Sequence, residues 1–178
     1  MRNFGIRLKH IKMRTLIVFG TRKGTTEKTA QVIAETIILK LGHQVEIHNI
    51  RKKRRFRHRL HEFDNIIIGS SIVSGRWKSC VLRLLKSRDL ESRKVAVFVT
   101  AGGTMNKTVK YGLTKKEARD EAVRNYIDKY LDRFHFTPVA KTAFGGLVIR
   151  RGVEKYNSWS REDIESWAIS LGTLFEEN

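Results

Sequence analysis

The sequence of 178 residues is long enough for one domain with a sizeable hydrophobic core. Hydrophobic residues make up 40% of it, in short runs separated by turn residues. This pattern excludes a disordered chain, and no run reaches the roughly 18 residues that a membrane-spanning helix needs. Its 36 Lys and Arg outnumber its 18 Asp and Glu, for a formal net charge of +18. Nucleic acid, anionic lipid, an acidic protein and an anionic small molecule are therefore open as partners, beside a merely solvated basic surface.

The first 13 residues are basic and contain few apolar anchors, so we expect a weakly ordered extension there. They lack the apolar stretch of a secretory signal. The single cysteine, Cys80, excludes an internal disulfide and fits a reducing compartment. We therefore expect a cytoplasmic protein whose one folded domain covers residues 14–178.

Short apolar runs predict five strands. Residues 15–20, 66–69 and 95–100 are near-continuous runs, which is typical of parallel strands buried on both faces. Residues 44–50 alternate between apolar and polar side chains, as a half-exposed edge strand does. The only proline directly precedes a fifth strand over residues 139–144, where a missing N–H group is tolerated.

Apolar residues at helical spacing predict four helices between and after these strands. They cover about residues 30–41, 77–85, 114–134 and 160–175. Capping boxes begin the last two, Thr114 with Glu117 and Ser160 with Asp163. Residues 101–113, with several glycines and an asparagine, are predicted as a loop. Five strands separated mostly by helices predict an α/β fold, a parallel sheet with helices on both faces.

The turn between the first strand and the first helix carries the sharpest motif. It places three hydroxyls, two cations and a flexible glycine at a helix N-terminus, where free N–H groups and the helix dipole favour an anion. It matches neither the Walker A motif nor the dinucleotide fingerprint. We predict a mononucleotide phosphate site, with an ordinary threonine-capped turn as the alternative. The candidate residues are Thr21, Arg22, Lys23, Gly24, Thr25 and Thr26.

The motif Thr-x-x-Gly-Thr-Thr at residues 21–26 resembles the FMN phosphate loop of the flavodoxin family. The resemblance runs over most of the chain from Thr15 and includes two further loops, at residues 69–77 and 100–106. It is nearest to the protoporphyrinogen dehydrogenase branch, which shares an Ile-Gly-x-Ser-Ile element with residues 68–72. It implies a flavodoxin-like doubly wound five-stranded parallel sheet of order 2-1-3-4-5, with one FMN at the carboxyl ends of the strands.

In that family the ends of the third and fourth strands grip the isoalloxazine ring of FMN. Carried over residue by residue, the resemblance implies contacts from Ser70, Ser71, Ile72, Val73, Ser74, Gly75, Trp77, Thr100, Ala101, Gly102, Gly103 and Thr104. Backbone amides of Gly102 and Gly103 are favoured because glycine permits a close approach. For Trp77, ring contact competes with a plain role in packing its helix.

A basic run directly follows the second strand. It contains Arg51, Lys52, Lys53, Arg54, Arg55, Arg57 and Arg59. We predict that it lies on the same rim as FMN and steers an acidic redox partner protein or an anionic small substrate. The alternative is that this basic run is only a solvated connection between the second strand and the next element. Nucleic acid is not expected, because the chain has no recognised nucleic-acid motif, and peripheral contact with a membrane stays open.

The sequence shows no nucleophile–base pair and no metal-ligand spacing, so no catalytic or metal residue is predicted. Redox chemistry would belong to FMN. The leading prediction is an FMN-dependent electron-transfer protein or small oxidoreductase. One alternative is an enzyme like protoporphyrinogen dehydrogenase that passes electrons to a quinone, although the short segment from Leu147 to Trp159 lacks that branch's basic insertion. The other alternative is a non-catalytic nucleic-acid-binding module on the same fold.

Overall fold

A computed structural model describes residues 13–52 and 55–176, and a parallel sheet of five strands forms the centre of this part of the chain. The strands are β1 (Arg14–Gly20), β2 (Gln44–Asn49), β3 (Asn65–Ser71), β4 (Lys94–Thr100) and β5 (Ala140–Phe144). Their order is β2-β1-β3-β4-β5, which confirms the predicted sheet. The predicted basic extension lies outside the described residues, except for Met13.

Helices cover both faces of the sheet. The described residues form α1 (Thr25–Thr36), α2 (Ser79–Leu85), α3 (Gly102–Met105), α4 (Lys107–Tyr111), α5 (Lys115–Tyr126) and α6 (Arg161–Glu176). The apolar sides of α1 and α6 pack on one face, and those of α2 and α5 pack on the other. A turn of π-helix, Ile37–Leu41, continues α1, and 3-10 helices occupy Arg55–Glu62, Arg88–Leu90 and Asp128–Arg133.

The central strands are buried because apolar side chains point into both helix layers. In β1, Leu16 and Val18 belong to the core under α2 and α5, and Ile17 and Phe19 belong to the core under α1 and α6. Burial on both faces is the reason why such strands are continuous apolar runs in the sequence. At about 25 cal/mol per Å² of apolar surface, this burial is the main driving force for folding.

Strand β2 is an edge strand, as predicted, but its two faces do not alternate cleanly. Ile47 is 39% exposed although it was predicted to face the core. Glu46 is partly buried instead, because its carboxylate accepts hydrogen bonds from the guanidinium groups of Arg14 and Arg59. Ion pairing therefore holds a charged side chain at a half-buried position that the alternating pattern assigned to solvent.

The helix starts agree with their capping signals. One helix, however, ends earlier than predicted. Thr114 Oγ1 accepts the Glu117 N–H at 3.2 Å, and the Glu117 carboxylate accepts the Thr114 N–H at 2.8 Å, which confirms that capping box. The predicted helix up to residue 134 was wrong: α5 ends at Tyr126 and continues only as a 3-10 helix. The Tyr126 carbonyl instead accepts the indole N–H of Trp77.

Two stretches predicted as plain connections have regular structure. Residues 101–113 form α3 and α4, and residues 147–157 form an antiparallel hairpin of β6 (Leu147–Arg150) and β7 (Val153–Asn157). Helices of four and five residues are too short to show a periodic apolar pattern. The hairpin turns at Arg151 and Gly152, whose φ angles are 52° and 76°, as in the turns that join short hairpins. Among the described helices, none combines the length and apolarity that crossing a bilayer requires.

Candidate functional site

The strand register brings the ends of the central strands to one edge of the sheet. Gly20 of β1 lies beside Ser70 of β3, and Thr100 of β4 lies between Ser71 and Phe144 of its two neighbours. The loops that leave these strands therefore meet at the same rim. Beside β1 the order of the sheet reverses, which is where doubly wound sheets bind their ligands.

A cavity of about 400 Å³ opens at this rim. All four loops contribute to its walls. It is lined by Thr21, Arg22, Lys23, Thr25, Thr26, Ser71, Ile72, Val73, Ser74, Thr100, Gly102, Gly103, Gly146, Leu147, Val148 and Ile149. The lining combines hydroxyl and cationic side chains with glycine backbone and aliphatic side chains. The volume lies within the range of about 300 to 1,000 Å³ for ligand sites.

The loop after β1 has the shape of an anion-binding turn. Thr21 Oγ1 accepts the Gly24 N–H at 3.0 Å, which closes the turn. Gly24 has φ = +87° and directly precedes α1, a left-handed conformation that favours glycine. The first N–H groups of α1, from Thr25 onward, have no partner within the helix and point out of its N-terminus. The same loop contributes Arg22, Lys23 and Thr25 to the cavity wall.

The loop after β3 forms one apolar wall of the cavity. Its tip is a tight turn in which Val73 and Arg76 exchange backbone hydrogen bonds of 3.0 and 3.1 Å. Ser74 and Gly75, between them, both have positive φ, which this turn type requires. The Ile72 N–H donates to the Thr100 carbonyl at 3.0 Å and ties the loop to β4. The aliphatic side chains of Ile72 and Val73 are thereby held against the cavity.

Gly102, at the start of α3, packs closely against the loop after β5. A Cβ atom on Gly102 would lie 3.0 Å from the carbonyl oxygen of Gly146 and 3.2 Å from a methyl of Val148. A side chain there would crowd the neighbouring loop. A Cβ on Gly103 would meet nothing closer than 4.0 Å, so its backbone is open to a ligand.

The hairpin β6–β7 forms a further wall of the cavity, and the sequence analysis did not predict this hairpin. Leu147, Val148 and Ile149 line the cavity. The Tyr156 hydroxyl donates to the Gly102 carbonyl, and the Lys23 ammonium donates to the Ile149 carbonyl at 3.3 Å. The signal that could have revealed the hairpin was the Arg-Gly pair between two runs of mostly β-forming residues.

Of the predicted site residues, twelve line the cavity and six do not. The six are Gly24, Ser70, Gly75, Trp77, Ala101 and Thr104. Gly24 and Gly75 shape the turns that carry lining residues. Thr104 is buried, with its hydroxyl 3.0 Å from that of Tyr126. Ser70 is fully buried, where its hydroxyl accepts the Lys78 N–H at 3.1 Å.

The structure brings Trp77 into the core and not to the cavity. Its side chain is 7% exposed and packs among the apolar residues under α2 and α5. The indole N–H is bound by the Tyr126 carbonyl. Of the two roles considered for this residue, packing at the start of its helix is the one that the structure shows.

The basic run is divided between the two ends of the sheet. Arg51 and Lys52 are exposed immediately after β2, at the edge of the sheet where the cavity opens. Arg59 instead donates to Glu46 at 3.0 Å and to Glu62 at 2.9 Å. Arg14, the first residue of β1, binds the same two carboxylates. A seven-residue strand spans about 20 Å, so Arg59 lies at the far end from the cavity.

Arg57 also lies away from the rim. It lines a surface cleft with Asp89 and Arg93, which precede β4 at the amino end of the sheet. Lys53, Arg54 and the side chain of Arg55 lie outside the described part of the chain. The prediction that the whole run flanks the cavity is therefore wrong for Arg57 and Arg59, because the chain crosses the sheet while it returns to the start of β3.

Ion pairing at the amino end strongly affects one carboxyl group. Hydrogen bonds from Arg59, and then from Arg14, lower the pKa of Glu62 to about 2. Both guanidinium groups also lie over the ring of Phe63, at 5.0 Å for Arg14 and 5.8 Å for Arg59. This cluster, Arg14–Glu46–Arg59–Glu62, fastens the 3-10 helix to the first two strands.

The described residues contain no group of three or more His, Cys, Asp or Glu side chains placed to hold a metal ion. Cys80 is a half-buried free thiol in α2 that packs against the core.

A comparison with protein families finds one match over most of the chain. The family model described as a flavodoxin domain matches residues 16–168. A curated relative is protoporphyrinogen IX dehydrogenase [quinone] of Escherichia coli strain K12, which is 28% identical over 141 residues. The match covers 76% of this chain and 70% of that enzyme.

Solved structures of low sequence identity share the fold. The short-chain flavodoxin associated with a PDU bacterial microcompartment has a TM-score of 0.59 at 14% identity, over 92% of this chain and 99% of that one. Flavodoxin 1 of Bacillus cereus has a TM-score of 0.52 at 19% identity, over 91% and 96%. Rubredoxin oxygen:oxidoreductase of Desulfovibrio gigas has a TM-score of 0.56 at 15% identity, and the match covers 93% of this chain but only 37% of that larger protein.

Proposed function

Since this chain belongs to the flavodoxin domain family, we propose that it binds one FMN in the rim cavity and acts as an electron-transfer protein or small flavin oxidoreductase. One observation carries the proposal. The loop 21–26, at the N-terminus of α1, opens into a cavity of about 400 Å³ whose other walls come from the loops after β3, β4 and β5. A phosphate donor set and a slot for a flat ring system are thus parts of one site.

The polar end suits the phosphate of FMN. The free N–H groups at the start of α1 provide donors, and the helix dipole favours the negative charge. Thr25, Arg22 and Lys23 of the same loop also line the cavity. Hydrogen bonds between such donors and a phosphate are charge-assisted and short. Gly24 allows the chain to curl around the anion because its φ is already positive.

The aliphatic end suits the isoalloxazine ring. Ile72 and Val73 from one loop and Leu147, Val148 and Ile149 from another line the cavity, so these loops offer apolar surface to a flat molecule. The open backbone at Gly103 allows an N–H group to approach the polar edge of the ring. Bound FMN supplies the one- and two-electron chemistry, whereas the protein positions it and limits access of water.

The rim around the cavity suits an anionic partner. Arg22, Lys23, Arg51, Lys52 and Arg151 are exposed there, while the ion-paired carboxylates Glu46 and Glu62 lie at the opposite end. We therefore assign docking of an acidic redox protein or an anionic substrate to these rim cations, in place of the whole basic run. Such a surface speeds association and loses its effect as salt rises.

The experiment that tests FMN binding compares two ligands that differ only in the phosphate. FMN should bind one to one, measured by quenching of its fluorescence, and the protein should show flavin absorption. Riboflavin should bind at least about tenfold more weakly, which corresponds to about 1.4 kcal/mol. If FMN and riboflavin bind equally, the loop 21–26 is not a phosphate site. If neither binds, the proposed function is wrong.

A second candidate function follows from the relative in Escherichia coli. Its name describes a dehydrogenase of protoporphyrinogen IX that uses a quinone, and cations at the rim suit the carboxylates of a porphyrinogen. The test is aerobic and anaerobic oxidation of protoporphyrinogen IX by the FMN-loaded protein, with and without a quinone. Turnover that requires the quinone supports this enzyme activity. Electron exchange with an acidic protein, without porphyrinogen turnover, supports a carrier.

Nucleic acid is the rival partner for the basic surface. Nucleic-acid binding would be salt-sensitive but unnecessary for any flavin reaction. Substituting Arg22, Arg51 and Lys52 by serine should slow reduction or reoxidation of the flavin by its anionic partner, with the largest effect at low salt. If these changes abolish RNA or DNA binding and leave all flavin rates unchanged, the assigned partner class is wrong.

A further inference from the structure

Three 3-10 helices lie along the amino end of the sheet, opposite the flavin cavity. They are Arg55–Glu62, Arg88–Leu90 and Asp128–Arg133, and they precede β3, β4 and β5, which are neighbours in that order. All three pack leucine side chains on the core under α2 and α5. These segments therefore share one edge and one face of the protein. We call residues 55–62, 86–93 and 128–133 the amino-end row.

Cations outnumber carboxylates in the amino-end row. The two carboxylates that form ion pairs, Glu62 and Asp128, bind Arg59 and Lys141. Within the described residues, six other cations of the row have no carboxylate partner, and five of them are exposed. The six are Arg57, Lys86, Arg88, Arg93, Lys129 and Arg133. Three further carboxylates, Asp89, Glu91 and Asp132, lie among them, so the row keeps an excess of positive charge.

A cleft between the first two helices of the row provides a recessed site. It has a volume of about 520 Å³ and is lined by Arg57, Leu60, His61, Asp89 and Arg93. The Arg93 guanidinium donates only to the Phe63 carbonyl, at 3.5 Å. The carboxylate of Asp89 accepts a hydrogen bond from the Ser87 hydroxyl at 2.7 Å. Two arginines and a histidine therefore face a single carboxylate, which suits an anionic ligand.

The third helix of the row holds its cations against an aromatic ring. Lys129 Nζ lies 5.4 Å from the centre of the Tyr130 ring, and the guanidinium carbon of Arg133 lies 5.3 Å from it. Such contacts restrict the side chains but leave their charge in place. Both cations are exposed, so they remain available to an anion outside the protein.

The distribution of these cations fits a chain of phosphates. They belong to three separate segments, so one small anion can contact only a part of them. Nucleic acid carries a phosphate at every nucleotide, and lysine and arginine that neutralise these phosphates release bound counterions. A recessed cleft with the apolar Leu60 in its lining admits a flexible single strand and an unstacked base. A duplex is too stiff to enter it.

We propose that the amino-end row is a binding surface for single-stranded nucleic acid, with one nucleotide in the cleft between Arg57 and Arg93. Two sources, RNA and DNA, carry this chemistry. The surface lies at the other end of the strands from the flavin cavity, so it is a second function of the chain. It does not depend on the proposed function.

The test measures binding of a fluorescent single strand to the full-length protein by anisotropy, over a range of salt. The strand has about 16 nucleotides and is used as oligouridylate and as oligodeoxythymidylate. The triple variant Arg57→Gln, Arg88→Gln, Lys129→Gln removes one exposed cation from each helix of the row. It should weaken binding at least about tenfold at low salt. The slope of log K against log salt should become shallower by about 2, at roughly 0.7 per lost phosphate contact.

The matched control removes the same charge at exposed positions outside the row, by Lys40→Gln, Lys116→Gln, Lys155→Gln. This triple variant should bind with an unchanged salt slope. Equal losses in the two triple variants would overturn the proposal, because binding would then follow net charge. Absence of binding to either strand by the wild-type protein would overturn it as well.

The choice of probe decides between the possible ligands of the row. Tighter binding of oligouridylate assigns the surface to RNA, tighter binding of oligodeoxythymidylate assigns it to DNA, and equal binding assigns it to the backbone that both share. A duplex of the same length should bind more weakly, and a tighter duplex contradicts the proposal. Vesicles of phosphatidylglycerol that bind through the row, with no binding of either strand, would identify a membrane surface instead.

The two sites are distinguished by repeating the titrations with FMN. Strand affinity should be the same with and without FMN, and the triple variant of the row should bind FMN like the wild type. If FMN displaces the strand, the strand occupies the flavin cavity and the proposal is wrong. Loss of strand binding in a protein that binds FMN normally leaves the proposed function in place, whereas failure to bind FMN contradicts only the proposed function.

Discussion

Thr26 Oγ1 lies 2.8 Å from Thr100 Oγ1. The first residue belongs to the first turn of α1 and the second ends β4, so this hydrogen bond ties the start of α1 to the end of β4. Thr26 is fully buried and Thr100 is 5% exposed. Bulk water can therefore hydrogen-bond to either hydroxyl only if the site opens.

Replacing Thr100 by valine should therefore destabilise the protein and loosen the cavity. The change keeps the shape of the side chain but leaves the Thr26 hydroxyl buried without its partner, which costs about 1 to 3 kcal/mol. Replacing both residues by valine removes both polar groups and should cost less than the sum of the two single changes. Urea unfolding and FMN titration of the four proteins measure this coupling. Strict additivity would show that the hydrogen bond has no energetic role.

Gly24→Val should weaken FMN binding through the backbone of the phosphate loop. A β-branched residue at φ = +87° is strained by about 1 to 3 kcal/mol, and relief of that strain distorts the turn that presents the N–H donors. Gly42→Val is the matched control, because Gly42 has φ = +69°, has open space around its Cβ and ends the same helix region far from the cavity. Both variants should lose stability, but only Gly24→Val should lose FMN affinity, measured by fluorescence titration.

Charge removal at the rim should lower the midpoint potential of bound FMN. One cation at about 10 Å contributes roughly 0.4 to 1.7 kcal/mol to the stability of a negatively charged reduced flavin. Since about 59 mV corresponds to 1.4 kcal/mol for one electron, Arg22→Gln should shift the potential by tens of millivolts, and less at high salt. Arg57→Gln should leave it unchanged, because Arg57 lines a cleft at the amino end of the sheet. Equal potentials in both variants would show that the rim cation is too solvated to influence the flavin.

The ion-pair cluster at the amino end should produce an acid-sensitive component of stability. The pKa of Glu62 is lowered to about 2 in the folded protein, below its value of 4.5 in an unfolded chain. The stabilising contribution is therefore fully present above pH 4.5 and is lost as the pH falls toward 2. Thermal unfolding of the wild type should show this loss, and Glu62→Gln should lack the corresponding part of the pH dependence. If the stability of the two proteins depended on pH in the same way, this role of Glu62 would be contradicted.

Tyr156→Phe should loosen the hairpin that forms one wall of the cavity. The change removes only the hydroxyl that donates to the Gly102 carbonyl, while the ring remains. Trypsin should cleave faster at the exposed turn around Arg151, since exposed loop tips are the preferred sites of nicking, and FMN should slow this cleavage by filling the cavity. An unchanged cleavage rate, with or without FMN, would mean that this hydroxyl does not hold the hairpin.

Local sequence signals were sufficient for most of the fold. The buried strands appear as continuous apolar runs because each of them contacts helices on both faces. The capping box at Thr114 depends on groups within three residues of one another, so it can be recognised in the sequence. The loop 21–26 is likewise a short segment, and all of its residues except Gly24 line the cavity. Local signals did not predict the short helices after β4 or the hairpin after β5, because contacts with loops distant in sequence hold these residues.

The sequence by itself determined the type of sheet, the positions of its strands and the loop that is suited to a phosphate, because these depend on periodicity and on the chemistry of neighbouring residues. Only the tertiary structure decided which side chains share the cavity. Trp77 follows a rim strand in sequence, yet apolar packing draws it into the core. Arg59 belongs to the basic run, yet Glu46 and Glu62 hold it at the far end of the sheet. Packing and ion pairing act between residues that folding alone brings together, so a linear pattern does not contain them.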